Sequence, residues 1–340
     1  MSPGKAPTLA RAVTLAQVAE QVGVSQVAVS VVLNNARSQV RVSPATRQRI
    51  LDTARELNYQ PNALARSLMR RRTNVIGFYS VQRHIFDPMY PFFGSILQGL
   101  LEGCARHQKN FLIHGTVGNV NEDDIYLELL NGQIDGLVLY ARNTTPLTQR
   151  LMESHLPVVT VADAVPGLPC VTIDDEAGGR ALARYLAEKG YQSALYWVTD
   201  EVLPSTIQQR LDAFYDEATQ RGLSVEVFRP QSPWPFTADV QAVMERAQRP
   251  QVIAAFSDSM ANDIIVQCKA LGWRVPQDIA VTGFDGFTGI FGEPTGFTTI
   301  RAPWSEVAQT AVSLLVDQCD GKAVPMTTLL PVELVAGDTA

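Results

Sequence analysis

The chain of 340 residues, 46% hydrophobic and 18% charged, has room for two or three domains at about 100–200 residues each, and its composition excludes collagenous, disordered and disulfide-scaffold classes. Its four cysteines, Cys104, Cys170, Cys268 and Cys319, form no C-x-x-C pair, which points to reduced thiols in a cytoplasm rather than a zinc or redox motif. The net charge of −6 conceals an uneven division: residues 1–73 carry 11 Lys/Arg against three acids, a balance of +8, and the remainder stands at −14.

A basic head on an acidic body suits a polyanionic partner, although a solvated basic tail has the same composition, so the head must show an organised fold. The first thirty residues lack a charged segment followed by an apolar stretch, and no window holds 18 uninterrupted apolar residues. The expectation is a cytoplasmic protein with no membrane partner.

Thr14-Leu15-Ala16-Gln17 reads as a capping box, and Leu15, Val18, Ala19 and Val22 behind it make one apolar helix face. Gly23 ends that helix, as a residue able to take positive φ does. Ser25 then caps a second helix, in which Val29, Val32 and Leu33 share a face. Ser43 and Pro44 open a third, with Ile50, Leu51, Ala54 and Leu57 as its stripe. Arg47, Arg49 and Arg55 lie off that stripe, where some can meet phosphate. Helix, glycine turn, helix is the plan whose second helix lies in the DNA major groove. From Pro61 to Arg72 a helix-compatible basic segment follows, too short to stand alone in water. It reads either as a linker or as a hinge that orders on DNA. The resulting boundaries are a tail over 1–12, a headpiece over 13–60, a hinge and linker over 61–73, and a body over 74–340.

The ordered strings TLAQVAEQVGVSQVAVSVVLNN and VSPATRQRILDTARELNYQPNALARSL resemble the headpiece of the lactose-repressor (LacI/GalR) family of bacterial transcription regulators. The resemblance implies that Gln26, Val27 and Val31 read base edges and that Ser25 and Ser30 lie near phosphates. It implies DNA contact for Thr14, Asn34, Tyr59 and Asn62 as well. Leu68 matches the hinge leucine that wedges into the minor groove, and Ala65 the small residue beside it. Val31 stands where many relatives carry Arg, and Ala28 where they carry Thr. Valine offers a thymine methyl only apolar contact, so base preference changes there. The loop from Asn35 to Arg41 is longer than in the shortest relatives and adds Arg37 and Arg41; either extra phosphate contact or a harmless insertion accounts for it.

In the body, short apolar runs alternate with helical stretches. Strands are predicted at 75–79, 111–114, 135–140, 158–161, 171–173, 194–198, 225–227, 252–256 and 279–284, and helices over 93–106, from Glu176, and over 206–221. That alternation predicts two doubly wound α/β subdomains with mostly parallel sheets, whose ligands bind beyond the strand carboxyl ends. No phosphate-binding loop, H-E-x-x-H, G-x-S-x-G or G-x-G-x-x-G is present, so neither an enzyme nor a cofactor is expected. His84, His107, His114 and His155 show no ligand spacing, and Asp174-Asp175-Glu176 reads as acids opening a helix rather than a metal cluster.

The body resembles the family's periplasmic-binding-protein type I effector module, through Tyr90-Pro91-Phe92-Phe93, Arg210-Leu211-Asp212-Ala213-Phe214, Phe256-Ser257-Asp258-Ser259-Met260-Ala261, Gly283-Phe284-Asp285-Gly286 and Thr298-Thr299-Ile300-Arg301-Ala302-Pro303. In all, residues 13 to about 337 are covered. The resemblance implies a cleft between two lobes, lined by Phe92, Phe93, Arg210, Asp258 and Asp285. Carboxylates, a guanidinium and aromatic plates suit a sugar or polyol, and a base or nucleoside also fits. Ser257 in place of the common Asn, and Ala213 in place of Gly, set this cleft apart. Arg210, Asp258 and Asp285 also have a purely structural reading, as lobe bridges and a turn. The resemblance thus implies a homodimeric repressor that binds a pseudo-palindromic DNA operator under the control of a small-molecule effector. A sugar- or nucleoside-binding protein, or an enzyme, on the same scaffold is the alternative.

Overall fold

Three N-terminal helices form where the sequence places their caps: α1 (Leu15–Val22), α2 (Gln26–Asn34) and α3 (Pro44–Glu56). Thr14 and Gln17 complete a reciprocal capping box, and Gly23 closes α1 at φ 72°, a left-handed turn that glycine makes without a Cβ penalty. Ser25 Oγ accepts from Ala28 N at 3.2 Å and Ser43 Oγ from Thr46 N at 3.2 Å, so both later helices start on a side-chain cap. Val18, Ala19, Val22, Val29, Val32, Ile50 and Ala54 make one small core, with Leu57 and Tyr59 packed against it. Arg49 donates to the Val22 carbonyl at 2.8 Å and Arg55 pairs with Asp52 at 2.9 Å, so both have intramolecular partners.

The structure, a computed structural model, describes residues 13–34, 40–60, 72–81, 91–115, 121–199, 203–232, 235–287 and 296–340. Two compact units result, residues 1–73 and 74–340. Asn62, Ala65 and Leu68 of the expected hinge, together with Arg37 and Tyr90, lie outside the described residues.

The second unit holds two parallel sheets. A six-stranded one runs β11-β5-β4-β3-β1-β2, from β1 (Val75–Ser80), β2 (Asn110–His114), β3 (Gly136–Tyr140), β4 (Val158–Val161), β5 (Cys170–Ile173) and β11 (Thr327–Leu330). A four-stranded one runs β7-β6-β8-β9, from β6 (Ser193–Trp197), β7 (Ser224–Phe228), β8 (Val252–Ala255) and β9 (Ala280–Thr282). Every residue of β3, β4, β5 and β8 is buried, as expected of parallel strands covered on both faces. The edge strands β2, β7 and β11 are only half-buried.

Helices α4 (Pro91–Arg106), α5 (Glu122–Leu129) and α6 (Pro146–Glu153) connect strands of the first lobe. Helix α7 (Asp175–Glu188) leads from β5 into the second lobe, where α8 (Ser205–Gln220), α9 (Thr237–Met244) and α10 (Asp258–Ala270) do the same. The chain crosses between lobes after β5, after β10 (Thr299–Arg301), and again between β11 and β12 (Glu333–Val335), which pairs antiparallel with β10. The second crossing returns α11 (Trp304–Cys319) to the first lobe, where it lies along α4. Their backbones approach so closely that a Cβ on Gly99 would sit 2.1 Å from Ser305 O; only glycine fits. No single described helix is long and apolar enough to cross a membrane; α1 and α2 reach that length only as a pair bent by 109°.

Candidate functional site

Two surfaces gather the residues singled out from the sequence. In α2, Ala28, Val29 and Val32 turn inward, while Gln26 and Val27 are exposed and Ser30 and Val31 half-exposed on the opposite side. Val27 is 52% exposed, an apolar side chain offered to solvent on the helix that this plan lays in the groove. Ser25 and Thr14 are exposed at the starts of α2 and α1. Asn34 is the last residue of α2, and Tyr59 is half-buried beside the three-helix core.

The second surface is a cavity of about 650 Å³ in the larger unit, within the range of small-molecule sites. Its walls follow from topology. Tyr140 and Arg142 leave β3, Asp163 leaves β4, Phe256 and Ser257 leave β8, and Asp285 follows β9. All lie beyond strand carboxyl ends, where open α/β sheets place ligands. Phe92, Phe93 and Trp304 come from the N-termini of α4 and α11, and Arg210 and Thr206 from α8. On the first-lobe side the rings interlock: Phe92 meets Trp304 edge-on at 4.9 Å and Phe93 meets Tyr140 at 5.2 Å.

The polar side is built around Arg210. Its Nε and Nη2 donate to Asp175 Oδ1 at 2.8 and 2.6 Å, its Nη1 donates to Phe256 O at 2.7 Å, and the guanidinium lies 3.4 Å from the Phe284 ring centroid. Both partners of the ion pair are buried. Burial pushes the Asp175 carboxyl above its ordinary value against the pull of Arg210. Across the cavity the Thr206 hydroxyl donates to the buried Asp163 carboxylate, tying the second lobe to the first; burial raises Asp163 to about 6.

Asp285 has φ 124°, a conformation strained for any residue but glycine and typical of functional positions. It is pinned there from several sides. Its N–H donates to Ile300 O at 2.8 Å, its carbonyl accepts from Ala302 N at 3.0 Å, and Trp304 Nε1 donates to its Oδ1 at 3.1 Å. Burial, and next the nearby Asp258, raise its carboxyl well above the usual range.

Residues 14–62 match bacterial regulatory proteins of the lacI family, and residues 183–340 match the periplasmic binding protein-like domain. The chain belongs to the LacI family. An HTH-type transcriptional repressor PurR from Aliivibrio salmonicida is 29% identical to this repressor over 326 residues, covering 91% of this chain and 93% of that one. The PurR repressor of Photobacterium profundum is also 29% identical, with 91% and 92% covered. In fold, this repressor is similar to a lac repressor dimer bound to operator and the anti-inducer ONPF, with TM-score 0.80, 24% identity, and 97% and 99% of the two chains covered. It is similar too to a CelR–cellobiose complex, with TM-score 0.70, 24% identity, and 96% and 99% covered. The protein is thus a LacI-family DNA-binding transcriptional repressor with an effector-binding domain, and not an enzyme.

Of the five cleft residues expected from sequence, Phe92, Phe93, Arg210 and Asp285 line the cavity of this LacI-family repressor. Asp258 does not, which corrects its placement. It is fully buried, its Oδ1 accepts from Thr299 Oγ1 at 2.6 Å, and its Oδ2 accepts from Gly286 N at 2.8 Å and Phe287 N at 2.6 Å. With its oxygens engaged in this way, Asp258 positions the Asp285 loop instead of meeting a ligand. Asp174, Asp175 and Glu176 open α7 as read from sequence, with Asp174 as the cap, accepting from Ala177 N at 2.9 Å; Asp175 is in addition the buried partner of Arg210. Tyr140, Arg142, Asp163, Thr206 and Trp304 were not anticipated. Each is a single residue next to a strand end or helix start, and the signal that finds them is that position.

Proposed function

We propose that this repressor binds a pseudo-palindromic operator as a homodimer in the bacterial cytoplasm, and that a neutral, hydroxyl-rich effector of the sugar class switches it. Gln26, Val27 and Val31 read base edges, Ser25 and Ser30 stand near phosphates, and Thr14, Asn34, Tyr59 and Asn62 add contacts. Leu68 wedges into the minor groove beside Ala65, so that two hinges bend the centre of the site. The corresponding division is headpiece 13–60, hinge 61–73, and effector-binding and dimerisation domain 74–340.

The effector class rests on one observation, the charge balance of the cavity wall. Asp163, Asp175 and Asp263 line it against Arg142 and Arg210, Arg210 is engaged by Asp175, and Asp285 adds a carboxyl held above its usual range. Carboxylates in surplus accept from hydroxyls and repel anions, while Phe92 and Trp304 suit the apolar face of a ring. The Thr206–Asp163 link across the lobes is the contact with which a bound effector competes. Unequal affinity for the two lobe arrangements then biases DNA binding.

Two measurements test this. Selection of retained duplexes from a random pool, at fixed near-physiological salt because phosphate contacts make affinity salt-dependent, should enrich a two-fold symmetric site with a deformable centre. No enrichment, with or without sugars, refutes operator reading. Thermal shift against neutral sugars, sugar phosphates and nucleosides should give stabilisation by neutral sugars alone, at about 2.7 kcal/mol when ligand is at 100 times Kd. Stabilisation by nucleosides alone replaces the sugar reading with a nucleoside one.

A further inference from the structure

The cavity does not end at Arg210 and Asp285. Ser259, Asn262, Asp263, Val266 and Gln267 of α10 all line it, spaced so that they share one helix face. From Ser259 to Gln267 that face runs about 12 Å at 1.5 Å per residue, longer than a single six-membered ring. Toward Gln267, Pro235, Phe236 and Val266 supply apolar wall around two polar side chains, Asp263 and Gln267.

Those two side chains are incompletely used. Asp263 is 7% exposed, yet its Oδ2 is shielded from water without a hydrogen-bond partner among the described residues. A buried acceptor left so destabilises the fold. Gln267 has its Oε1 occupied, accepting from Thr237 Oγ1 at 2.7 Å. An amide also carries two N–H donors, which that bond does not use. An acceptor oxygen next to an N–H matches a ligand hydroxyl, which donates and accepts. The surrounding apolar wall suits the C–H face of a ring, and the carboxylate disfavours a phosphate there.

We propose that Asp263 and Gln267 form a second polar subsite that receives a hydroxyl of an outer sugar unit, so that the effector is a disaccharide or longer glycoside rather than a single sugar. The assignment rests on the sugar-class reading of the same cavity. Asp263 determines which length of ligand is accepted.

The test is isothermal titration of the full-length protein with glucose, galactose, cellobiose, maltose and adenosine, in the wild type, Asp263→Asn and Val266→Trp. The tryptophan variant changes a half-exposed wall position and fills the far end without touching the core. One disaccharide is expected to bind the wild type at least about tenfold tighter than its component monosaccharide, a difference of about 1.4 kcal/mol. Val266→Trp should erase that advantage and leave the monosaccharide affinity unchanged, and Asp263→Asn should weaken the disaccharide more than the monosaccharide. Ligand-free Asp263→Asn should melt no lower than the wild type, because it neutralises an unpaired carboxylate; a carboxylate serving structure alone would lower the melting point. Equal binding of mono- and disaccharide, or equal weakening of both by either variant, overturns the subsite while leaving the sugar reading intact. Binding of adenosine alone, or of nothing in the panel, overturns both.

Discussion

Replacing Arg210 by leucine should cost lobe stability first and ligand affinity second. In the wild type three of its N–H groups are engaged at 2.6–2.8 Å, two on Asp175 and one on the Phe256 carbonyl, and the Asp175 side chain is 3% exposed. Removing the guanidinium leaves that carboxylate buried without a counter-charge. Breaking one side of a buried pair costs about 3–5 kcal/mol, about a hundredfold or more in the folding equilibrium. Replacing both partners by apolar residues removes the stranded charge, so Arg210→Leu with Asp175→Leu should recover most of the loss. Urea unfolding at pH 7, read through the fully buried Trp197 of β6, reports the second lobe, where both residues lie. Asp175→Leu alone completes the cycle, and its coupling with Arg210→Leu should be several kcal/mol. A cost below about 1 kcal/mol for Arg210→Leu, or a double variant less stable than either single one, refutes the account of this pair.

Four other expectations follow from separate features. Asp163 and Asp263 are each raised by burial to about 6, so between about pH 4 and 6 the folded chain holds protons that the unfolded chain has released, and stability falls as pH rises through that window. The Asp163→Asn/Asp263→Asn protein should therefore gain more over the wild type at pH 7 than at pH 4.5 in thermal melts, and an equal gain at both pH values contradicts this. Ile50 is fully buried in a seven-residue headpiece core, so Ile50→Ala should cost about 2–5 kcal/mol, abolish DNA retention, and leave the Trp197 transition in place. Gly99→Ala should destabilise the first lobe by about 1–3 kcal/mol in urea unfolding read through the buried Trp304 of α11, since its Cβ would press on Ser305 O; a neutral result means that α11 slides freely. Glucose 6-phosphate should give no thermal shift, and a shift equal to that of a neutral sugar contradicts the charge balance of the cavity.

Local chemistry was readable where one residue type settles it. Thr14, Gln17, Gly23, Ser43 and Pro44 each do in the fold what their side chains suggest, and the buried strands showed as Val/Ile/Leu runs because parallel sheets are covered on both faces. Half-exposed β11 and β12 lack such runs, and went unread. Helix α11 has no counterpart among the predicted elements, although Val307, Ala308, Ala311, Val312 and Leu315 form a helical stripe, because it starts behind Pro303 without a side-chain cap to mark it. Within the cavity, Phe92, Phe93, Arg210 and Asp285 were found through motifs. Asp163, Thr206, Asp263 and Trp304 have no motif; two sheets and their crossings bring them together from positions far apart in the chain. Asp258 misled because a carboxylate beside a cleft motif looks like a ligand contact until its backbone donors are seen.

The return of α11 to the first lobe has a consequence for synthesis. Its seat on α4 is made early, yet the helix that fills it is encoded roughly 200 residues later, a wait of about 10–40 s at about 5–20 residues per second. During that interval the second lobe can be completed while the first keeps an open apolar groove floored by Gly99 and Gly103. A ribosome stalled before Trp304 would therefore hold a finished lobe beside an unfinished one, and that groove is where a chaperone, or a neighbouring nascent chain, would find this protein.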